Sequence, residues 1–337
     1  MNILLEQGSA RVGKEMLSKD ILLSVIIPTC HRNEDLTRCL QALQPEKLRT
    51  SNTSSSPSGE IVGRKNFFYE VIVADDGTVA TAEPMLQIGF PWVKWHRGPR
   101  RGPAANRNFG ASKAQGEWLL FLDDDCVPEM SWLEVYASST NRFRDYSVFE
   151  GKTIAPGPKL RADHESPLNL TGGLLWSCNF GIKRHLFLQI GGFDEGFPVA
   201  AMEDMDLQAR LQRAGYTSKY LPDACVQHPW RPRRGARFCS QLAKSIEYFT
   251  GKHPQARPAF AEAWGFKRMI KIVFVEFPLN LVRYREFSSL RVLGLDLITA
   301  VHVSLRLMQQ RKQIAREATL SSKQADRPNL TRQNSAR

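Results

Sequence analysis

A chain of 337 residues can bury a full core, and its 42% hydrophobic and 24% charged content is that of an ordinary globular protein, which excludes the fibrous and wholly disordered classes. Its formal net charge of +12 suits nucleic acid, an anionic membrane surface or a phosphate-rich substrate. No zinc-finger spacing, recognition helix or aromatic-spaced basic repeat accompanies that charge, so nucleic acid is set aside and phosphates or lipid headgroups are kept.

Residues 1–20 form an N-terminal extension with no apolar stretch behind a basic start, so they do not match a secretory signal. Six scattered cysteines without a C-x-x-C pair disfavour a zinc site or a disulfide framework and point to free thiols in a cytoplasmic, reducing compartment. The run LLSVIIPT at 22–29 predicts a buried parallel strand stopped by Pro28, and Leu36, Leu40 and Leu43 predict a helix over 35–43. A Ser/Thr-rich stretch near 49–66 reads as an insertion. Then YEVIVADDG predicts a second buried strand that delivers Asp75 and Asp76 into a Gly turn, WVKWH a short third, 104–115 a helix, and EWLLFLDDD a strand ending on Asp123, Asp124 and Asp125.

Further along, 131–143 reads as a helix, 147–154 as a strand and 155–170 as a loop. A strand and a short helix ending at Gly191 and Gly192 follow, then a helix over EDMDLQARLQRAG closed by Gly215, and a strand near 218–221. The α/β domain is expected over 21–240, a helical region over 241–315 and a disordered tail over 316–337. Charges such as Lys271, Glu276, Arg291 and Asp296 break the apolar runs of the helical region, so no transmembrane helix is predicted. Two uses stay open for these helices and their Lys267, Arg268, Lys271, Arg283 and Arg285: packing on the α/β core, or peripheral contact with the inner face of the plasma membrane.

The alternation is βαβαβ, and in open parallel sheets ligands sit beyond the carboxyl ends of the strands, where Thr29, Asp76 and the Asp123 to Asp125 run all fall. Like charges packed at a buried strand end repel unless a cation joins them, which suggests Mg2+ or Mn2+ bridging a diphosphate; the plainer reading is a solvated acidic turn.

The segments SVIIPTCHR, VIVADDG, GPAANRNFGASKAQGEWLLFLDDD and GGFDEGFPVAAMEDMDLQARLQRAG, in this order across about residues 22–230, resemble the family 2 glycosyltransferases of the GT-A fold. The resemblance implies a Rossmann-like, mixed and mainly parallel sheet with flanking helices, to which this chain adds a C-terminal helical extension. It also implies an inverting, hexosyltransferase-like enzyme that uses a divalent cation (Mn2+ or Mg2+) and a nucleotide-diphosphate sugar. Pro28 and Thr29 match the place where such enzymes meet the nucleotide. Asp75 and Asp76, Asp76 foremost, match the acids that bind the base, usually uracil, so a UDP-sugar is the expected donor. Arg107 matches the basic residue over the nucleotide or its phosphates, with Arg100 and Arg101 nearby as further candidates. Asp123 and Asp125 match the metal ligands, with Asp124 between them in the donor site. Gly192, with Gly191, matches a loop that approaches the sugar. Glu203 and Asp204 match the catalytic acidic pair, with Asp204 as the base, and His228 matches a histidine that completes the metal or diphosphate site in many members.

Each assignment has a plainer alternative: an Asp-Gly turn, a surface guanidinium, an acidic first helical turn, a hydrogen-bonded strand-end histidine. Trp176 is open between the acceptor side and the core, and Arg231, Arg233, Arg234 and Arg237 between a solvated face and a loop over the diphosphate. The acceptor is expected to be a polysaccharide, a lipid-linked glycan or another glycoconjugate of the cell envelope. A nucleotidyltransferase of similar fold and a catalytically inactive, basic membrane-surface protein are the rival functions.

Overall fold

The computed structural model describes residues 22–44, 62–64, 67–79 and 81–325. The expected N-terminal extension, most of the 49–66 insertion and the last twelve residues of the expected tail lie outside the described residues. The first half of the α/β part runs β1 (Leu23–Thr29), α1 (Asn33–Ala42), β2 (Val62–Arg64), β3 (Phe67–Asp75), α2 (Glu83–Gly89), β4 (Val93–Arg97), α3 (Pro103–Lys113) and β5 (Trp118–Leu122). The second half adds β6 (Val127–Pro128), α4 (Trp132–Arg142), β7 (Val148–Ile154), β8 (His164–Glu165), β9 (Asn179–Lys183), α5 (Arg184–Gln189), α6 (Glu203–Arg213), β10 (Lys219–Gln227) and β11 (Arg231–Pro232).

β1 is buried at all seven positions because both its edges and both its faces are covered. It pairs in parallel with β3 on one side and β5 on the other. Alternate residues feed two cores: Leu23, Val25 and Ile27 join Val71, Val73, Leu120 and Leu122 on one face, while Ile26 joins Ile72, Leu119 and Phe121 on the other. The sheet order is β2, β3, β1, β5, β9, β7, β10, β6, with β4 also on β3. β9 runs antiparallel to both β5 and β7, and the other long pairings are parallel. The mixed, mainly parallel α/β sheet expected from the sequence is thus present.

Pro28 shapes the site end of this sheet. The β1–β5 ladder stops at Ile26 paired with Phe121, whereas the β1–β3 ladder continues to Thr29 paired with Asp75. A proline has no N–H for a ladder, so the sheet opens between β1 and β5 just where Thr29 and the aspartate run emerge. β10, β8, α2 and the C-terminal helix are among the elements that differ from expectation. β10 extends to Gln227 because a register shift between Leu221 and Cys225, around Pro222, masks its second half in the sequence pattern. Within the expected 155–170 loop lies β8, which pairs antiparallel with β11. α2 starts with Pro84 in its first turn and was not anticipated. A long C-terminal helix continues to Ala325, ten residues into the expected tail, since a polar composition serves an exposed helix as well as a disordered one.

The described residues fall into two compact units, one within 22–159 and 164–232, the other within 160–163 and 233–325. The second unit is helical: α7 (Ala236–Lys252), α8 (Arg257–Trp264), α9 (Phe266–Lys271), α10 (Phe277–Tyr284) and α11 (Ser288–Ala325), with a π-helical turn at Ile272–Glu276. Gln310 of α11 donates to the Glu247 carbonyl of α7 at 3.1 Å, and Asp163 and Asp296 take ion pairs from Arg291 (2.6 Å) and Arg233 (2.7 Å). Among the described residues no helix is long and apolar enough to cross a membrane.

Candidate active site

The aspartate run leaves β5 where Leu122 is still fully buried, and each acid meets a different partner. Arg107, from α3, is itself buried and donates to Asp123 Oδ1 at 2.6 Å and to Glu203 Oε1 at 3.3 Å. Burial works against the charge of both groups. Even so, Arg107 holds Asp123 below the usual carboxylate range, and the two acids hold the Arg107 proton more tightly than a free guanidinium would. Asp124 accepts from Thr29 Oγ1 at 2.8 Å and from Arg32 at 3.1 Å. Burial and the neighbouring acids nevertheless push it up to about 7. Asp125 Oδ2 accepts from Arg231 at 2.6 Å and Arg32 at 3.3 Å.

The other oxygen of Asp125 is the informative one. Oδ1 is buried, has no hydrogen-bond partner among the described residues, and lies 3.4 Å from His228 Nε2. His228 Nδ1 sits 3.0 Å from the Pro229 carbonyl and 3.4 Å from the Ser166 hydroxyl, so a proton on Nδ1 has an acceptor, and in that tautomer Nε2 is free to act as a ligand. In that tautomer Asp125 Oδ1 and His228 Nε2 face each other as two acceptors, an arrangement that a cation satisfies. Cys126 is the third member of this group, with its sulfur and the other two ligand atoms within 4.8 Å of one another. Burial drives the Cys126 thiol well above its ordinary value, and its soft sulfur suits a hard divalent ion less well than the carboxylate and imidazole do.

At the end of β3 the two acids separate in role. Asp75 accepts from Gly77 N–H (2.8 Å), Ala82 N–H (2.7 Å) and Trp95 Nε1 (3.2 Å), so it builds the turn. Asp76 is half-buried and accepts from Arg100 N–H at 2.8 Å; burial raises it. Gly98 is required beside it, since a Cβ there would stand 2.2 Å from Asp76 Oδ1 and 2.3 Å from Asn106 Oδ1.

α6 brings the last acids. Met202, its N-cap, adopts φ +81°, and His31 and Arg100 are also left-handed beside the ends of β1 and β4. Such backbone costs of order 1–3 kcal/mol per residue and concentrates where a site is held in one shape. Glu203 Oε2 is buried without a hydrogen-bond partner among the described residues. Burial and the adjacent Asp204 push Glu203 up to about 7 despite Arg107. Asp204 accepts from Met205 N–H at 2.8 Å and from the Ser177 backbone, and burial raises it as well.

The structure therefore gathers Asp123, Asp124, Asp125, Glu203, Arg107 and His228 but distributes them differently from the expectation. Asp123 is held by Arg107, which also holds Glu203, and the ligand atoms of Asp125, Cys126 and His228 lie within 4.8 Å of one another. Arg107 is enclosed by acids instead of lying open to a phosphate. Pro28 is buried inside β1, and the Thr29 hydroxyl is used on Asp124, so both shape the cleft. Gly192, at φ +64°, lets the chain approach Asn108, whose Oδ1 would lie 2.6 Å from an added Cβ, and it packs there. Arg101 is largely exposed and pairs with Glu195 at 2.9 Å. The Trp176 indole donates to the Leu168 carbonyl at 3.1 Å and the side chain packs against the core. Sequence reasoning missed Arg32, Asp35 and Cys126 and left Arg231 unassigned. Arg231 donates to Asp35 at 2.8 Å as well as to Asp125.

The family model of glycosyl transferase family 2 matches residues 24–149. The chain is 32% identical to glycosyltransferase AglE of Haloferax volcanii, covering 62% of this chain and 67% of that one. It is 29% identical to an uncharacterized glycosyltransferase of Haemophilus influenzae, covering 67% and 75%. Against the pre-mycofactocin glycosyltransferase of Mycobacterium tuberculosis it is 30% identical but spans only 37% of that relative. Among solved structures, a mannosyltransferase from Pyrobaculum calidifontis in complex with GDP-Man and Mn2+ shares the fold, with a TM-score of 0.52, 18% identity and coverage of 89% of this chain and 94% of that one.

Proposed function

The chain belongs to glycosyl transferase family 2, nucleotide-sugar-dependent inverting enzymes of the GT-A fold, and we propose that it transfers a sugar from a UDP-sugar to the hydroxyl of a glycan or glycolipid with Asp204 as the base. The observation that carries the donor half is the buried Asp125 Oδ1, without a hydrogen-bond partner among the described residues and 3.4 Å from His228 Nε2. They would hold Mn2+ or Mg2+, and the bound ion supplies positive charge to the departing diphosphate. The mannosyltransferase of like fold holds Mn2+ with its donor, which supports this reading.

Asp76 is the acid of the β3 pair that a base can reach, and its carboxylate accepts from the imide N–H that uracil offers. Guanine offers an N–H too, so a GDP-sugar is the competing donor. The acceptor oxygen attacks the anomeric carbon from the face opposite the diphosphate: the carbon–oxygen bond to phosphate breaks, the bond to the acceptor forms, and the hydroxyl proton passes to Asp204. Two backbone N–H groups keep the Asp204 carboxylate aimed, while Arg107 anchors Glu203 beside it. The cytoplasm is the proposed location, because the six cysteines are all free thiols.

The test is Asp204→Asn. The proposal expects kcat to fall by about 10²-fold or more while nucleotide affinity stays within about twofold, since a base contributes to the barrier and not to donor binding. Turnover near the native value would remove the base assignment.

A further inference from the structure

From Phe266 to Tyr284 the second unit runs as one continuous helical stretch, α9, the π turn and α10. The π turn ends two residues before Pro278, which cannot donate to the carbonyl four residues back. The extra residue it accommodates keeps Ile270, Phe274, Pro278 and Val282, spaced by fours, close to one line, and all four are exposed. Phe274 is 74% exposed, Val282 73%, Leu279 on the next row 64%, and Phe287 just beyond the helix 89%. The opposite side, with Ile272 buried, faces the unit's other helices. Apolar surface of this kind on adjacent turns is costly in water and marks a partner.

The charges around it say which. Lys267 and Lys271 are exposed at one end of the apolar face, Arg283 and Arg285 at the other. The one acid within the stretch, Glu276, is neutralised from its own helix by Arg268 and by Lys271 at 3.8 Å. An apolar stripe with cations at both ends and no uncompensated acid complements a surface that is apolar below and anionic above. We propose that this face lies in the plane of an anionic bilayer surface, with Phe274, Leu279, Val282 and Phe287 entering the acyl boundary and the four cations meeting lipid phosphates.

The test is flotation of the full chain with vesicles of phosphatidylcholine alone and of phosphatidylcholine with about one third phosphatidylglycerol, with no nucleotide sugar present, so that its result is independent of the transferase reading. The native chain should float with the anionic vesicles at least about tenfold better than with the neutral ones. Phe274→Ser with Val282→Ser should lower binding about tenfold or more without lowering the thermal midpoint, because neither side chain is packed. Phe287→Ser, at the most exposed position, should weaken binding in the same direction if the double variant proves unstable. Lys267→Glu with Lys271→Glu should remove the preference for anionic lipid. Absence of flotation, variants that float like the native chain, or a native dimer that these substitutions turn into monomers would overturn the proposal, the last by assigning the face to a second copy.

Discussion

Glu203 opens α6 with one oxygen on Arg107 and the other buried, and burial lifts it to about 7. In the unfolded chain a glutamate titrates near about 4.3, so the folded form binds the proton more tightly. The stability this group contributes is full below about pH 4 and is lost as pH rises through about 7. The chelator-treated protein should accordingly show a thermal midpoint that falls by several degrees between about pH 5 and about pH 8, and Glu203→Gln should flatten that part of the slope. An unchanged slope in the variant would place the loss elsewhere. The acids themselves were legible in the sequence, because a run of aspartates after four buried residues, and a Glu-Asp pair at a helix start, are local patterns. Their partners were not: Arg32 meets Asp124 across 92 residues and Arg231 meets Asp125 across 106, and only the closed sheet brings such charges together. The same holds for Asp75, whose turn-building contacts depend on Ala82 and Trp95.

In the segment between β7 and β9, residues 169–175 are held by two buried side chains, Asn169 and Glu150. Glu150 of β7 accepts from Gly173 N–H at 2.6 Å and Leu174 N–H at 3.1 Å, and Ser218 donates to its other oxygen. Gln208 of α6 adds a bond to the Gly173 carbonyl at 3.0 Å, and four residues later the Ser177 backbone reaches Asp204. Glu150→Ala would remove the acceptor of the Gly173 and Leu174 N–H groups and of Ser218, so the urea midpoint should correspond to a loss of about 1–3 kcal/mol and residues 169–175 should become sensitive to protease. Native stability in Glu150→Ala would show that the loop is held by other contacts. At this scale the sequence was most informative for strands buried on both faces: β1, β3 and β5 were apparent from their unbroken apolar runs. It was least informative where a break hides continuity, as Pro222 does in β10, or where polarity is ambiguous, as over the last turns of α11.

For the whole molecule, the excess of positive charge is put to two different uses. In the first unit Arg32, Arg107 and Arg231 converge on acids at the open end of the sheet, and in the second unit cations border an apolar helical face. Family, fold and acidic site were accessible from ordered motifs, while the division of those acids into an arginine-held pair and a histidine-paired ligand required the fold. The central claim is that Asp125 and His228 hold a divalent cation that recruits the nucleotide diphosphate. Isothermal titration of UDP, with GDP alongside, into chelator-treated protein with and without Mn2+ tests it directly. Nucleotide binding should be at least about tenfold tighter with Mn2+, and that gain should be lost in both Asp125→Asn and His228→Ala. Equal affinity with and without Mn2+, or a gain that survives both substitutions, would contradict it.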